Sequence, residues 1–171
     1  MALNSFLKLA GQIQGDIKGS VTQKGREGKI MVIAFDYEVL SPTDPSSGQA
    51  TGKRQHEPFV ITKEIDKSTP LLYKALVTNE TLTKWELQCF GVKATGQEVN
   101  IYTVKLTNSK ISEIHSFMLN NKVPENSKMP LMEEVSFVYE KIEWTWVAGS
   151  ITATDDWAAN QNTLVKKKNK V

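Results

Sequence analysis

The sequence predicts a mainly β fold: an antiparallel β-barrel or sandwich of two sheets, with one short α-helix and an extended loop. Three observations point to it. Short segments of alternating apolar and polar residues recur along the chain with turn signals between them. Only one stretch, Lys67 to Val77, carries helical spacing. The run Glu133 to Trp146 alternates strongly but changes phase: Val135, Phe137 and Tyr139 share one face of an extended strand, and Ile142, Trp144 and Trp146 share the other. Two accounts fit that switch. Either a bulge re-registers one core strand, or the strand has one face in a core and its second face, with Trp144 and Trp146, against a partner surface.

The elements follow in chain order. Phe6 to Ile13 and Lys29 to Leu40 read as strands; in the second, Phe35, Tyr37 and Val39 alternate with Asp36 and Glu38. Its first half, Ile30 to Ala34, is apolar on both faces, which suggests a strand covered on both sides. Ser41 to Glu57 is polar, contains Pro42 and Pro45 and has no apolar period, so it is expected to be a long loop used as a contact arm. Pro58 to Ile65 returns to strand. Thr69 can cap the helix that follows, Pro70 suits its first turn, and Leu72, Ala75 and Leu76 form its inward stripe. Trp85, Leu87 and Cys89, then Tyr102, Val104 and Leu106, predict a β-hairpin. Ile111 to Met118 and Ser150 to Ala153 are further strands, and Asn120 to Pro130 is a polar loop. About seven strands are expected, in a domain spanning 1–157, followed by a basic tail at 158–171 with Lys166, Lys167, Lys168 and Lys170.

A length of 171 residues suits one domain that needs no staple. With 40% hydrophobic and 23% charged residues the composition is that of a globular chain. The 21 basic and 19 acidic residues leave a net charge of +2, which calls for no polyanionic partner. The lone Cys89 excludes an internal disulfide. Met1 to Gly15 lacks the basic and apolar regions of a secretory signal, and no run approaches the roughly 20 apolar residues that cross a bilayer. If the protein leaves the cell, it is not expected to leave by a cleaved signal peptide, and no membrane insertion is expected.

The residues that could carry chemistry are few. His56, His115 and Cys89 are too scattered to suggest a metal or nucleophile motif. Gly48 to Lys53 misses phosphate-loop spacing by one residue. Glu133-Glu134 and Asp155-Asp156 are adjacent acids that point to opposite faces of a strand, expected to be solvated or ion-paired. The lysine-rich tail has no interleaved aromatic residues for nucleic acid to stack on. No enzyme activity and no cofactor are expected, and no nucleic-acid partner.

Gly48 to Leu72, Tyr102 to Asn108 and Val135 to Trp146 resemble the haemolysin-coregulated protein (Hcp) family, as do Phe6-Leu7-Lys8-Leu9 and Asp155-Asp156-Trp157. The match runs in the family's order over almost all of Met1 to Trp157; the lysine-rich tail is outside the pattern. The resemblance implies a structural subunit of the type VI secretion inner tube, in which hexameric rings stack and are expelled, with spike protein and effectors, by a contracting sheath on its baseplate. It implies manufacture in the bacterial cytoplasm and delivery outside the cell or into a target cell. A soluble effector-binding adaptor or chaperone that uses the fold without polymerising is the alternative. The arm Ser41 to Glu57 corresponds to the family's extended loop, which reaches the adjacent ring; Asp44, Gln49, Lys53, Arg54 and His56 are the expected polar contacts there, with Trp144 and Trp146 the candidates for contact within a ring.

Overall fold

Two antiparallel sheets face one another across one apolar layer in the computed structural model, which describes residues 4–157. The basic tail expected at 158–171 lies outside the described residues. The strands in chain order are β1 (Ser5–Gly11), β2 (Gly15–Ile17), β3 (Ile30–Val32), β4 (Ala34–Asp36), β5 (Val39–Leu40), β6 (Gln55–His56) and β7 (Phe59–Glu64). After helix α1 (Thr69–Val77) come β8 (Leu82–Val92), β9 (Glu98–Thr107), β10 (Lys110–Phe117), β11 (Met132–Val138), β12 (Lys141–Trp146) and β13 (Ile151–Asp156). The predicted class holds, as a sandwich: among the described residues no ladder joins the two sheets into a closed barrel. The extra strands beyond the expected seven are mostly two- and three-residue pieces, too short to show an alternation.

The larger sheet runs β13, β12, β9, β8, β1, and β2 and β3 then share the far edge of β1. The smaller runs β10, β11, β7, β4. The predicted hairpin is β8–β9, with Trp85 opposite Leu106 and Leu87 opposite Val104, all facing the core. In β10 a bulge at Ser112 lets Ile111 and Ile114, three apart, both turn inward.

The phase switch has a different cause from either one expected. β11 belongs to the smaller sheet and β12 to the larger, so Glu133 to Trp146 is two strands joined at a corner, Tyr139-Glu140. Val135 and Phe137 point into the layer from one side and Ile142 from the other. The change of sheet exchanges inside for outside, and the parity follows. Lys29 to Leu40 divides in the same way. Ile30 and Val32 enter the core from the larger sheet, Ile33 is exposed at the crossing, and Phe35 stacks on Phe59 in the smaller one. The double apolar face was two single faces in succession. A third crossing, β9 to β10, turns at Asn108, whose positive φ of 49° suits asparagine, and its amide donates to Glu140 Oε2 at 2.7 Å, tying two corners together.

Helix α1 packs along β10, an edge of the smaller sheet, with Leu72 and Ala75 buried. Thr69 is not its cap: Ser68 holds that position without a side-chain cap bond, and the Thr69 hydroxyl turns inward to donate to Glu133 Oε1 at 2.8 Å. That carboxylate is completely buried and paired with the buried Lys63 ammonium at 2.6 Å. Lys63 also donates to the Glu64 carbonyl at 2.8 Å and lies 3.0 Å from Asp66. Burial pushes the Asp66 carboxyl up, but hydrogen bonds from Ser68 and Lys63 outweigh it and hold it below the usual range.

A buried pair of this kind is costly to break, because the survivor stays charged in an apolar layer. Lys63→Ala is expected to destabilise the fold by about 3–5 kcal/mol in urea unfolding, and the double replacement Lys63→Met with Glu133→Leu to recover most of that. Additive losses in the double variant would contradict the pairing.

Candidate functional site

The long polar stretch between β5 and β6 leaves the sandwich as a two-stranded ribbon. Val39 pairs with His56 and Leu40 with Gln55, and farther out Thr43 bridges to Ala50. It is an arm, as expected, but an ordered one. Its tip is folded by Asp44, whose carboxylate accepts from the Ser46 amide at 2.9 Å and from the Ser46 and Ser47 hydroxyls at 2.8 and 2.9 Å. Those bonds, the Ser46 amide foremost, hold its carboxyl below the usual range. The Asp44 amide donates to the Gln49 carbonyl at 2.8 Å, closing the turn. Gln49 and Lys53 are exposed, and neither side chain has a partner among the described residues.

Arg54 and His56 sit elsewhere, at the base of the arm, and both turn to the same carboxylate. Arg54 places its guanidinium fork, Nε and Nη2, on the two oxygens of Asp155 in β13, and Nη2 also reaches the Asp156 carbonyl at 3.2 Å. His56, with its side chain almost wholly covered, brings Nε2 to 2.7 Å from Asp155 Oδ2 and Nδ1 to 3.1 Å from the Tyr139 hydroxyl. The Trp157 ring lies 5.4 Å from the imidazole. Burial pushes the Tyr139 hydroxyl up to about 12, so it stays protonated. Asp155 is held below its ordinary 3.8 mainly by the Arg54 hydrogen bonds.

The two tryptophans divide. Trp144, between Val104 and Ala153 on the neighbouring strands, packs partly buried against the core. Trp146 is 47% exposed and pairs with Ile151, itself 67% exposed. Together with Val147 they line the rim of β13, the outermost strand of the larger sheet. Among the described residues that strand is paired on one side only, and Ile151-Thr152-Ala153-Thr154 is exposed and uncharged. Sheet edges are commonly guarded by lysine, proline or a bulge; this stretch has none of them.

Of the residues singled out in the sequence, the structure thus unites Arg54 with His56, places Asp44 and Gln49 together at the tip and leaves Trp146 on an open edge. Asp155 and Tyr139 were missed as their partners. The sequence leaves the acids solvated or ion-paired without naming a partner, because 101 residues separate Arg54 from Asp155 and no local pattern spans that gap. His115, Cys89 and His56 stand on three different elements, and burial pushes the Cys89 thiol up, away from the reactive thiolate.

The chain and its fold are similar to known proteins. Residues 6–146 match the family described as "Type VI secretion system effector, Hcp". The chain is 39% identical over 166 residues to the "Major exported protein" of Pseudomonas aeruginosa, covering 92% of this chain and 96% of that protein. Its fold superposes on a mutant Hcp1 protein from E. coli with a TM-score of 0.80, at 39% identity, covering 91% of this chain and 99% of that one. The secreted protein Hcp3 from P. aeruginosa gives 0.74 at 31% identity, covering 92% and 99%.

Because the folded pKa of Asp155 is depressed, its pairing with Arg54 and His56 stabilises the fold at pH values above 3.8 and is lost as pH falls through the folded value. The stability gap between the unaltered chain and Asp155→Asn is therefore expected to close as pH falls below about 4. Urea titrations across that range check it; a gap that persists at lower pH would contradict the assignment.

Proposed function

The chain belongs to the Hcp family of type VI secretion system effectors, and from that premise we propose that it is the structural subunit of the secretion tube, forming hexameric rings that stack and are expelled by the sheath. The open edge of β13 carries the reading. An uncharged stretch of edge, Ile151 to Thr154, with the exposed side chains of Trp146 and Val147 beside it, is a surface that a soluble protein ordinarily covers. A second copy of the same chain covers it in a closed ring, which removes the edge from every subunit at once.

The arm supplies the other contact. Its tip carries Gln49 and the Asp44 turn, Lys53 is exposed nearer the base, and these polar groups meet the neighbouring ring. Arg54 and His56 act from the base. The spike protein, the sheath and baseplate components and the secreted effectors are the remaining partners of this role; their contact residues are not among those assigned above. The function is mechanical and needs no cofactor: the subunit carries load and cargo, with no bond made or broken.

Light scattering of the purified chain is expected to give a particle several times the 19.1 kDa monomer, and negative-stain microscopy rings and stacks; a monomer at micromolar concentration would overturn the proposal. Trp146→Glu is expected to give a folded chain of lower mass. Trp144→Glu, which buries a charge beside the core, should cost a few kcal/mol of stability, on the order of 2–5. Equal destabilisation by both would move Trp146 from the edge to the core. Deleting Ser46 to Gly52 should leave rings intact and shorten stacks, while single rings from the unaltered chain would favour the non-polymerising adaptor.

A further inference from the structure

A ribbon without a core has no direction of its own. Ser41 to Lys53 are exposed or only partly covered, and the ladder at the arm's base is two residues long. Two strands of that length do not hold themselves in water. The ribbon continues the β4–β7 ladder, whose last pair is Asp36 with Val60, through the bond from the Glu57 amide to the Glu38 carbonyl at 3.0 Å. Beyond that narrow backbone root, arm side chains meet the sandwich. Those meetings converge on the end of β13: Arg54 on Asp155 and the Asp156 carbonyl, and His56 on Asp155, Tyr139 and the ring of Trp157.

The geometry is that of a two-point clamp. Arg54 and His56 are two apart on an extended segment and so project to one side of it. A single carboxylate that receives both fixes the distance of the arm and its rotation. The fork from Arg54 permits little swivel, and the Tyr139 hydroxyl, contributed by the corner between β11 and β12, holds the imidazole from its far side.

We propose that Asp155 is the positioning residue of the arm: acting through Arg54 and His56, it fixes the arm's direction before one ring meets the next. The inference rests on the arm being the contact between rings. Its benefit is preorganisation, since an arm already aimed gives up less freedom on docking than a loose one. It also gives β13 two duties. One end of the strand holds the clamp, and the other presents the open edge, so that the surface which closes the ring and the clamp which aims the arm lie on one rigid element.

The test uses the full chain with Asp155→Ala and, separately, Arg54→Ala, which lies outside both sheets and decides the matter even where the first variant fails to fold. Three readouts are taken: particle mass by light scattering, deuterium exchange of the Asp44, Gly48 and Thr51 amides, and stack length by electron microscopy. Unchanged ring mass, arm exchange faster by about tenfold or more and shortened stacks are expected. Arg54→Lys, which keeps the charge and loses the fork, should fall between. A general loss of stability would lower ring mass as well, which separates it from loss of aim.

Stacks of normal length in both variants overturn the proposal, as does unaltered arm exchange. If deletion of Ser46 to Gly52 abolishes stacking while the clamp variants stack normally, the arm reading stands and the positioning role falls. If that deletion leaves stacks unchanged, or the unaltered chain never stacks, the arm reading falls and takes this inference with it.

Discussion

Trp85 joins the two halves of this molecule. It projects from the larger sheet into the layer, with its ring 4.9 Å from Phe59 and 5.5 Å from Phe137 of the smaller sheet, edge-on to both. Tyr37 continues the layer by stacking on Phe59 at 4.6 Å. Removing a buried ring of this size typically costs about 3–5 kcal/mol, a large share of a domain's net stability. The contact also imposes a rule on the chain: whatever is apolar must point between the sheets, whichever sheet it belongs to. Where the chain turns directly from one sheet to the other, with no helix between, its inward parity reverses. The corners at Ile33, Asn108-Ser109 and Tyr139-Glu140 are where it does so.

That rule explains what the sequence disclosed and what it withheld. Alternation located the long strands, because Leu7 and Leu9, Phe59 and Ile61, and Leu87 with its neighbours each keep one face inward over several residues. It also found the helix from Pro70 and the Leu72–Ala75 spacing. Alternation records only inside and outside, with no label for which sheet is meant. Val135 to Trp146 therefore read as one strand with two apolar faces, and the corner was invisible. The clamp was hidden for a related reason. Arg54, His56, Tyr139 and Asp155 are polar or half-polar residues from three distant segments, and only the folded layer brings them into hydrogen-bond reach of one another. Lys63 and Glu133 are the same case: each interrupts an apolar face and looks like a solvent residue until the other is set against it.

The outer surfaces complete the picture. Across the exposed face of the larger sheet, Lys8 stands opposite Glu86, Glu86 opposite Lys105, and Lys105 opposite Glu143. Charges alternate in a row across four strands, and Lys105 lies 3.3 Å from Glu143. Such a ladder adds little stability in water, but it keeps a broad face wet and guarded against adhesion. The row stops short of β13, where Thr154 follows Glu143 in register and Ile151 to Thr154 carry no charge. Protection ends at the strand proposed to meet a neighbour.

The two proposed contacts consequently draw on different physics, which suits an object that must hold together and also be built step by step. Apolar edges close a ring by burying area, a contact that is strong and little affected by salt. A polar tip meeting another ring exchanges protein–water hydrogen bonds for protein–protein ones, so its net strength per contact is modest, about 0.5–1.5 kcal/mol. Modest contacts decide an assembly only when many form together and none is first spent on ordering a loose segment. In the proposed hexameric ring, six arms aimed in advance would satisfy both conditions; six free ribbons would satisfy neither. On that proposal the clamp on Asp155 is what makes a weak polar tip an effective joint, because the arm is ordered during folding, by the same chain, before any second ring arrives.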